Sequence, residues 1–148
     1  MYDQMVQAAR SGVQNIAKGS QAAGTSKKTE LKLTQVARAS LEELLRDYED
    51  FLRQRELAIW GKDDLRRSRV RELRPASVSQ LHEMLATSKL WDGASAPERC
   101  ANVMTALICQ ANFLLDHQIE RQEKDFLDQG GFTERLYHMR KENRGSVR

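Results

Sequence analysis

Residues 27–59 read KKTELKLTQVARASLEELLRDYEDFLRQRELAI, and the spacing of their apolar positions decides the fold. Leu31, Thr34, Ala37, Leu41, Leu44, Leu45, Tyr48, Phe51, Leu52 and Ile59 recur at steps of three and four, which puts them on one face of a helix. At about 100° per residue they cover an arc of about 160°, wider than a coiled-coil seam and suited to a bundle helix touching two neighbours. Arg46, Glu49, Asp50 and Arg53 fall opposite. At about 1.5 Å per residue such a helix spans about 50 Å. Nothing on it has the pattern of a reaction centre.

The composition agrees. Among 148 residues, 6% are aromatic and only two are proline, which disfavours a sheet and favours helices. One domain is the default at this length. The net charge of +3 is modest, so the distribution of charge matters more than its sum. Cys100 and Cys109 lie nine apart on one predicted helix, beyond the reach of a disulfide, and are expected as two buried, reduced thiols. The opening MYDQMVQAARSG lacks a basic segment followed by an apolar one, so no secretory signal is expected. The most apolar run, Ala101 to Leu115, is too short to cross a bilayer. A cytoplasmic protein without a membrane segment is expected.

The remaining elements are read from their punctuation. A first helix is predicted from Tyr2 to about Lys18. Met5, Ala9, Gly12, Val13 and Ile16 share a face, and Ala8, Ala9, Ser11 and Gly12 are small enough to admit a neighbour. A mid-helix glycine costs ~1 kcal/mol against alanine, so Gly12 implies close packing. Gly19 is expected to end that helix, and Thr25 or Ser26 to cap the next. The long helix is expected to stop at Trp60-Gly61, with Gly61 left-handed. From Asp64 to about residue 90 a charge-dense helix is broken near Pro75, Ser77 restarts it, and Trp91-Asp92-Gly93-Ala94 reads as a turn. Ser95-Ala96-Pro97-Glu98 is a capping box with proline in the first turn, so a helix starts at Ala96 and runs to about Gln129, before Gly130-Gly131. Cys100, Val103, Met104, Leu107, Ala111, Leu114, Leu115 and Ile119 form its main apolar face. Ala106, Cys109 and Phe113 form a second stripe nearly opposite, which implies a central position or, as the favoured expectation, a subunit interface.

Several stretches carry a resemblance. Gln4-Met5, Ala8-Ala9-x-Ser11-Gly12-x-x-Asn15-Ile16 and Gly19-Ser20, with Ala37-Arg38-x-Ser40-Leu41-x-Glu43-Leu44-Leu45-x-Asp47-Tyr48, resemble the bacterial four-helix-bundle family. That family includes proteins encoded by intervening sequences in large-subunit ribosomal RNA genes and the accessory variability determinant of diversity-generating retroelements. Leu114-Leu115-Asp116-x-Gln118-Ile119, Glu123-Lys124-Asp125-Phe126 and Gly130-Gly131-Phe132-x-Glu134-Arg135-Leu136 look like the suffix extension of one branch. Residues 62–91 lie outside the resemblance. Two departures stand out: family members usually carry a further amphipathic helix before the segment that begins here at Tyr2, and Lys18 stands where an acidic residue is usual. The resemblance implies a bundle assembling into rings, typically homopentamers, with retroelement members binding nucleic acid and a reverse transcriptase.

Reaction chemistry finds little support. His117 and Glu120 sit one turn apart beside Asp116, but a di-iron bundle needs Glu-x-x-His motifs on two helices. Structural hydrogen bonding is the better reading, and His82 and His138 are expected as solvated surface residues. Cys100 near its helix start lacks an evident base, so packing is favoured over nucleophilic chemistry. Gly19 and Gly24 fit no phosphate loop. The basic clusters remain: Arg66, Arg67, Arg69, Arg71 and Arg74, and near the chain end Arg140, Lys141 and Arg144. Each, taken alone, reads more simply as a solvated face laced with ion pairs. Lys27 and Lys28 sit at the positive end of the long helix, where a nearby phosphate or carboxylate would relieve them.

The sequence thus predicts an all-α, antiparallel up-and-down four-helix bundle over residues 1–129, with helices at about 2–18, 27–60, 64–90 and 96–129. A short suffix helix, Phe132 to about Lys141, and a polar tail follow in residues 130–148. No enzyme, cofactor or metal is expected. The expected partners are further copies of the chain, a pentamer by resemblance. Nucleic acid met through the arginine clusters is one further expectation, and a partner protein with no nucleic-acid role is the alternative.

Overall fold

The computed structural model describes residues 1–23 and 26–129. Five α-helices make an all-α bundle: α1 (Tyr2–Ala22), α2 (Lys27–Gln54), α3 (Leu65–Leu73), α4 (Val78–Ala86) and α5 (Ala96–Gln129), with a 3₁₀ turn at Ser88–Trp91. No strand occurs among the described residues, and none of their helices is long and apolar enough to cross a membrane. The expected suffix helix at Phe132 to Lys141 lies outside the described residues.

The helices divide into two compact units. The first, here the hairpin unit, takes Val6–Leu41 and the chain from Phe113 onward. In it α1 and α2 run antiparallel and approach through small residues. A Cβ placed on Gly12 would lie 3.2 Å from Leu41 Cδ2, and one on Gly19 would lie 3.6 Å from Leu33 Cβ. Gly19 therefore does not end α1 as expected. It is buried inside a helix that continues to Ala22, its missing side chain making room for α2. Ser11 Oγ meets Ser40 Oγ at 2.8 Å across the same seam.

The second half of α5 meets α2 mainly through polar groups. Gln122 Nε2 donates to Glu30 Oε1 at 2.9 Å, and Arg38 Nε donates to Asp116 Oδ1 at 2.8 Å. The order of these partners (30 with 122, 38 with 116) makes the two helices antiparallel. The interior of this unit is consequently small and polar. Its fully buried residues include Ala8, Gly12, Thr34, Ala37, Ser40 and Gln122, and Leu115 is the one large apolar residue buried among those described.

The second, tryptophan unit takes Met1–Met5 and Glu42–Asn112 and holds the larger core. Trp60, Val70, Met84, Trp91, Val103 and Ala106 form one buried cluster, with Leu81, Leu85, Leu90 and Leu107 packed on it. The two indoles stack with centroids 5.6 Å apart. Burying about 150–250 Å² per indole at about 25 cal/mol per Å² contributes at most ~4–6 kcal/mol each. That gain explains why the chain leaves its helical path here.

α2 ends at Gln54, short of the expected Trp60, and Gly61 is not the left-handed residue. Glu56 is, at φ 54°. Its N–H reaches Arg53 O at 3.1 Å, and Leu57 N–H reaches Leu52 O at 2.9 Å. This is the paired reversal that closes a helix end, here made without glycine. The strap that follows is held by Asn102 of α5. Asn102 Oδ1 accepts from Trp60 N–H at 2.8 Å, and Nδ2 donates to Ala58 O at 2.8 Å and to Glu98 O at 2.9 Å. The long-range capture of Trp60 overrides a local helical pattern that runs on through Ile59.

Asp64 and Ser77 cap α3 and α4 as expected. Arg74, just before Pro75, is left-handed at φ 42°, which agrees with the steric bar to a helical residue ahead of proline. Ser95 Oγ caps α5 through Glu98 N–H at 3.3 Å, but the Glu98 carboxylate turns to the core instead of completing the box.

Candidate functional site

The arginine segment folds inward more than its composition suggests. Asp64 Oδ1 accepts the Arg66 backbone N–H at 2.9 Å, and the same carboxylate receives the Arg66 side chain at 3.0 Å (Nε to Oδ1) and 2.7 Å (Nη2 to Oδ2). The guanidinium lies 4.5 Å over the Trp60 ring and 3.6 Å from Glu98 Oε1, which also accepts from Trp60 Nε1 at 3.2 Å. The hydrogen bond from Arg66 holds the Asp64 carboxyl below the usual aspartate range, and the same bond raises Arg66 further. The result is a stack of guanidinium and two indoles, fixed at its polar rim by two carboxylates.

Arg67 and Arg69 are similarly committed. Arg67 donates to Trp60 O at 3.2 Å and to Cys109 Sγ at 2.9 Å. Arg69 donates to Leu90 O at 2.6 Å and pairs with Asp92 at 3.2 Å. Arg71 and Arg74 are exposed, with contacts to Ser68 Oγ and Arg71 O. Of the five candidates, three fasten α3 to the core and two face solvent. Arg140, Lys141 and Arg144 lie outside the described residues.

The other chemistry-bearing side chains stand in separate contacts. His117 Nδ1 lies 3.3 Å from Glu120 Oε2, exposed, with its ring edge-on to Phe113 at 4.4 Å. Asp116 turns instead to Arg38. No group of three or more histidine, cysteine or carboxylate side chains fit for a metal occurs among the described residues. Both cysteines are free. Cys100 is exposed, not buried as expected, because the capping turn leaves its side of α5 open, and Cys109 is half-buried. Burial, and then the nearby Cys100 thiol, raise the Tyr48 hydroxyl above its usual range. Lys27 finds its carboxylate in Glu30, 3.4 Å away.

The second stripe of α5 does not stay together. Ala106 is sealed in the tryptophan core, covered by Trp60, Trp91 and their neighbours, and Cys109 lies half-buried under Arg67. For these two residues the chain supplies its own cover. Phe113 is different, 61% exposed at the start of the hairpin unit.

That exposure belongs to a broader feature that the sequence reading did not isolate. In the hairpin unit Val6, Val13, Ile16, Val36, Phe113, Leu114 and Leu127 are all exposed, against the single buried Leu115. On α1, Val6, Ala9, Val13 and Ile16 follow alternating steps of three and four, the seam spacing of paired helices. Their outward direction becomes visible only once Ala8, Gly12 and Gly19 are known to face α2. No protein-family model, no curated protein and no solved structure is matched by this chain.

Proposed function

We propose that the protein is a cytoplasmic, non-enzymatic scaffold whose copies associate through the hairpin unit into a closed ring. One observation carries the reading: this unit turns Val13 (67% exposed), Phe113 (61%) and Leu127 (81%) to solvent while its interior is small and polar. Apolar faces of that kind mark surfaces that another chain covers. Membership of the bacterial four-helix-bundle family, with its pentameric rings, is part of the same proposal and rests on the motifs around Gly12, Ser40 and Leu115.

Nucleic acid is a subordinate part of it. Arg66, Arg67 and Arg69 are occupied within the chain, so phosphate contacts fall to Arg71 and Arg74 and, beyond the described residues, to Arg140, Lys141 and Arg144. Repetition around a ring would add such weak contacts through effective concentration. The engagement of three arginines also favours a second reading, a protein-interaction scaffold with no nucleic-acid role.

Light scattering on the purified chain tests the assembly, and a mass equal to one chain refutes it. Titration of labelled single- and double-stranded nucleic acid at several salt concentrations separates the two roles. Binding that falls steeply with salt and weakens again in an Arg71→Ala, Arg74→Ala variant supports phosphate contact. No binding at low salt leaves the interaction scaffold.

A further inference from the structure

The hairpin unit carries two free apolar faces on different helices. One is on α1, from Val6 to Ile16, about 15 Å long at about 1.5 Å per residue. The other is on the second half of α5, from Phe113 to Leu127, about 21 Å long on the same measure. Their surroundings differ in sign. Residues 6–41 carry six basic side chains and one acidic, whereas residues 113–129 carry five acidic and two basic. The imbalance survives removal of the Arg38–Asp116 pair, which takes one charge from each side. A helix is about 10–12 Å across, close to the screening length of about 8–10 Å at ordinary salt, so charges around the whole helix act on whatever docks there.

Like faces would bring like charge together. Two α1 faces would oppose Arg10 and Lys18 to their own copies, with no acid between Val6 and Ala22 to relieve them. Unlike faces match in both greasiness and sign. We infer that the α1 face of one copy docks on the Phe113–Leu127 face of α5 in the next, a head-to-tail contact between two different surfaces of the same chain. A contact of this kind propagates: each copy keeps one unused face of each type until a ring closes or a filament grows. The inference rests on the self-association proposed above and adds to it the pair of surfaces and their polarity.

The test uses two full-length variants, Val13→Asp on α1 and Phe113→Asp on α5. Both positions are exposed, so each chain is expected to keep the wild-type circular dichroism spectrum. Light scattering should find each variant alone as a single 17.0 kDa chain. Mixed in equal amounts they should form a species of twice that mass and no larger, because only one intact α1 face and one intact α5 face remain. Two single chains on mixing, or a wild-type mass for either variant alone, overturns the head-to-tail pairing. A wild-type protein that is itself one chain overturns the self-association reading as well, which is the result expected if residues 130–148 cover these faces. Charge gives an independent arm. Arg10→Glu with Lys18→Glu, or Glu120→Lys with Asp128→Lys, should each raise the dissociation constant at least tenfold, and the mixture of the two should recover most of it. No recovery on mixing counts against the inference.

Discussion

Replacing Asn102 with alanine should unfasten the strap between α2 and α3. Asn102 is 1% exposed, and its side-chain amide makes three hydrogen bonds, to Trp60 N–H, Ala58 O and Glu98 O. These are not equal losses. Trp60 is itself 1% exposed, so its N–H would be stranded away from water, at a cost of about 1–3 kcal/mol. Ala58 is exposed and its carbonyl can return to solvent, which limits that loss to about 0.5–1 kcal/mol. Glu98 O keeps its place at the start of α5 and adds little. The expected destabilisation is about 3 kcal/mol, a large part of the about 5–15 kcal/mol that holds a domain of this size. With a urea dependence of about 1–3 kcal/mol per M, the midpoint should fall by about 1–3 M. Trp60 and Trp91 are the only tryptophans, so fluorescence and near-ultraviolet circular dichroism report the strap directly. Asn102→Asp sharpens the test. It keeps the acceptor for Trp60 but faces a carboxylate toward two carbonyl oxygens, so its folded pKa should rise above the ordinary aspartate value. Its penalty against wild type should then shrink as pH falls toward about 4, where the protonated acid donates again. A loss below about 1 kcal/mol in Asn102→Ala, with an unchanged tryptophan signal, would refute the clamp.

Glu56→Gly should stabilise the chain by about 0.5–1 kcal/mol, because glycine meets the φ of 54° without strain; a lowered urea midpoint would contradict this. Gly12→Leu should cost at least about 2 kcal/mol, since even a Cβ there comes within 3.2 Å of Leu41, whereas Gly12→Ala should be close to neutral as helix propensity offsets the crowding; equal melting temperatures for the two would sink the close-approach argument. Asp64 has a depressed pKa, so its contribution is present above the unfolded aspartate value of about 3.9 and is lost as pH falls through the folded value. Asp64→Asn should therefore be less stable than wild type at pH 7, and the gap should close in acid, as read from urea midpoints between pH 7 and 3.

How far the sequence could be read depended on whether the deciding partner was local. The start of α5 at Ala96 follows from Ser95 and Pro97, and the Ser77 and Asp64 caps from their immediate neighbours, so these were legible. The end of α2 was not, because Asn102, 42 residues beyond Trp60, outweighs an apolar period that continues to Ile59. Gly19 misled for a related reason: a glycine that admits a neighbouring helix looks the same in sequence as one that ends its own. The double apolar character of α5 was a real signal, but for Ala106 its cover comes from Trp60 and Trp91, on segments whose course the pattern left open.

The arginines show the same division with a functional consequence. α3 has little else to hold it, since Leu65 is 72% exposed, Leu73 is 48% exposed and Val70 alone is fully buried. A helix so poor in apolar anchors would not stay docked through one valine, which contributes about 1.5–3 kcal/mol. Arg66, Arg67 and Arg69 supply the rest by reaching main-chain oxygens, a thiol and carboxylates contributed by the strap, the 3₁₀ turn and α5. Their charge is thus largely neutralised or shared within the fold before any phosphate arrives, and displacing them would undock the helix that carries them. A polyanion would have to be met by cations that no part of the fold requires, such as Arg71 and Arg74. Two such charges per chain give little affinity alone, so any phosphate binding by this surface should depend on how many copies present it together.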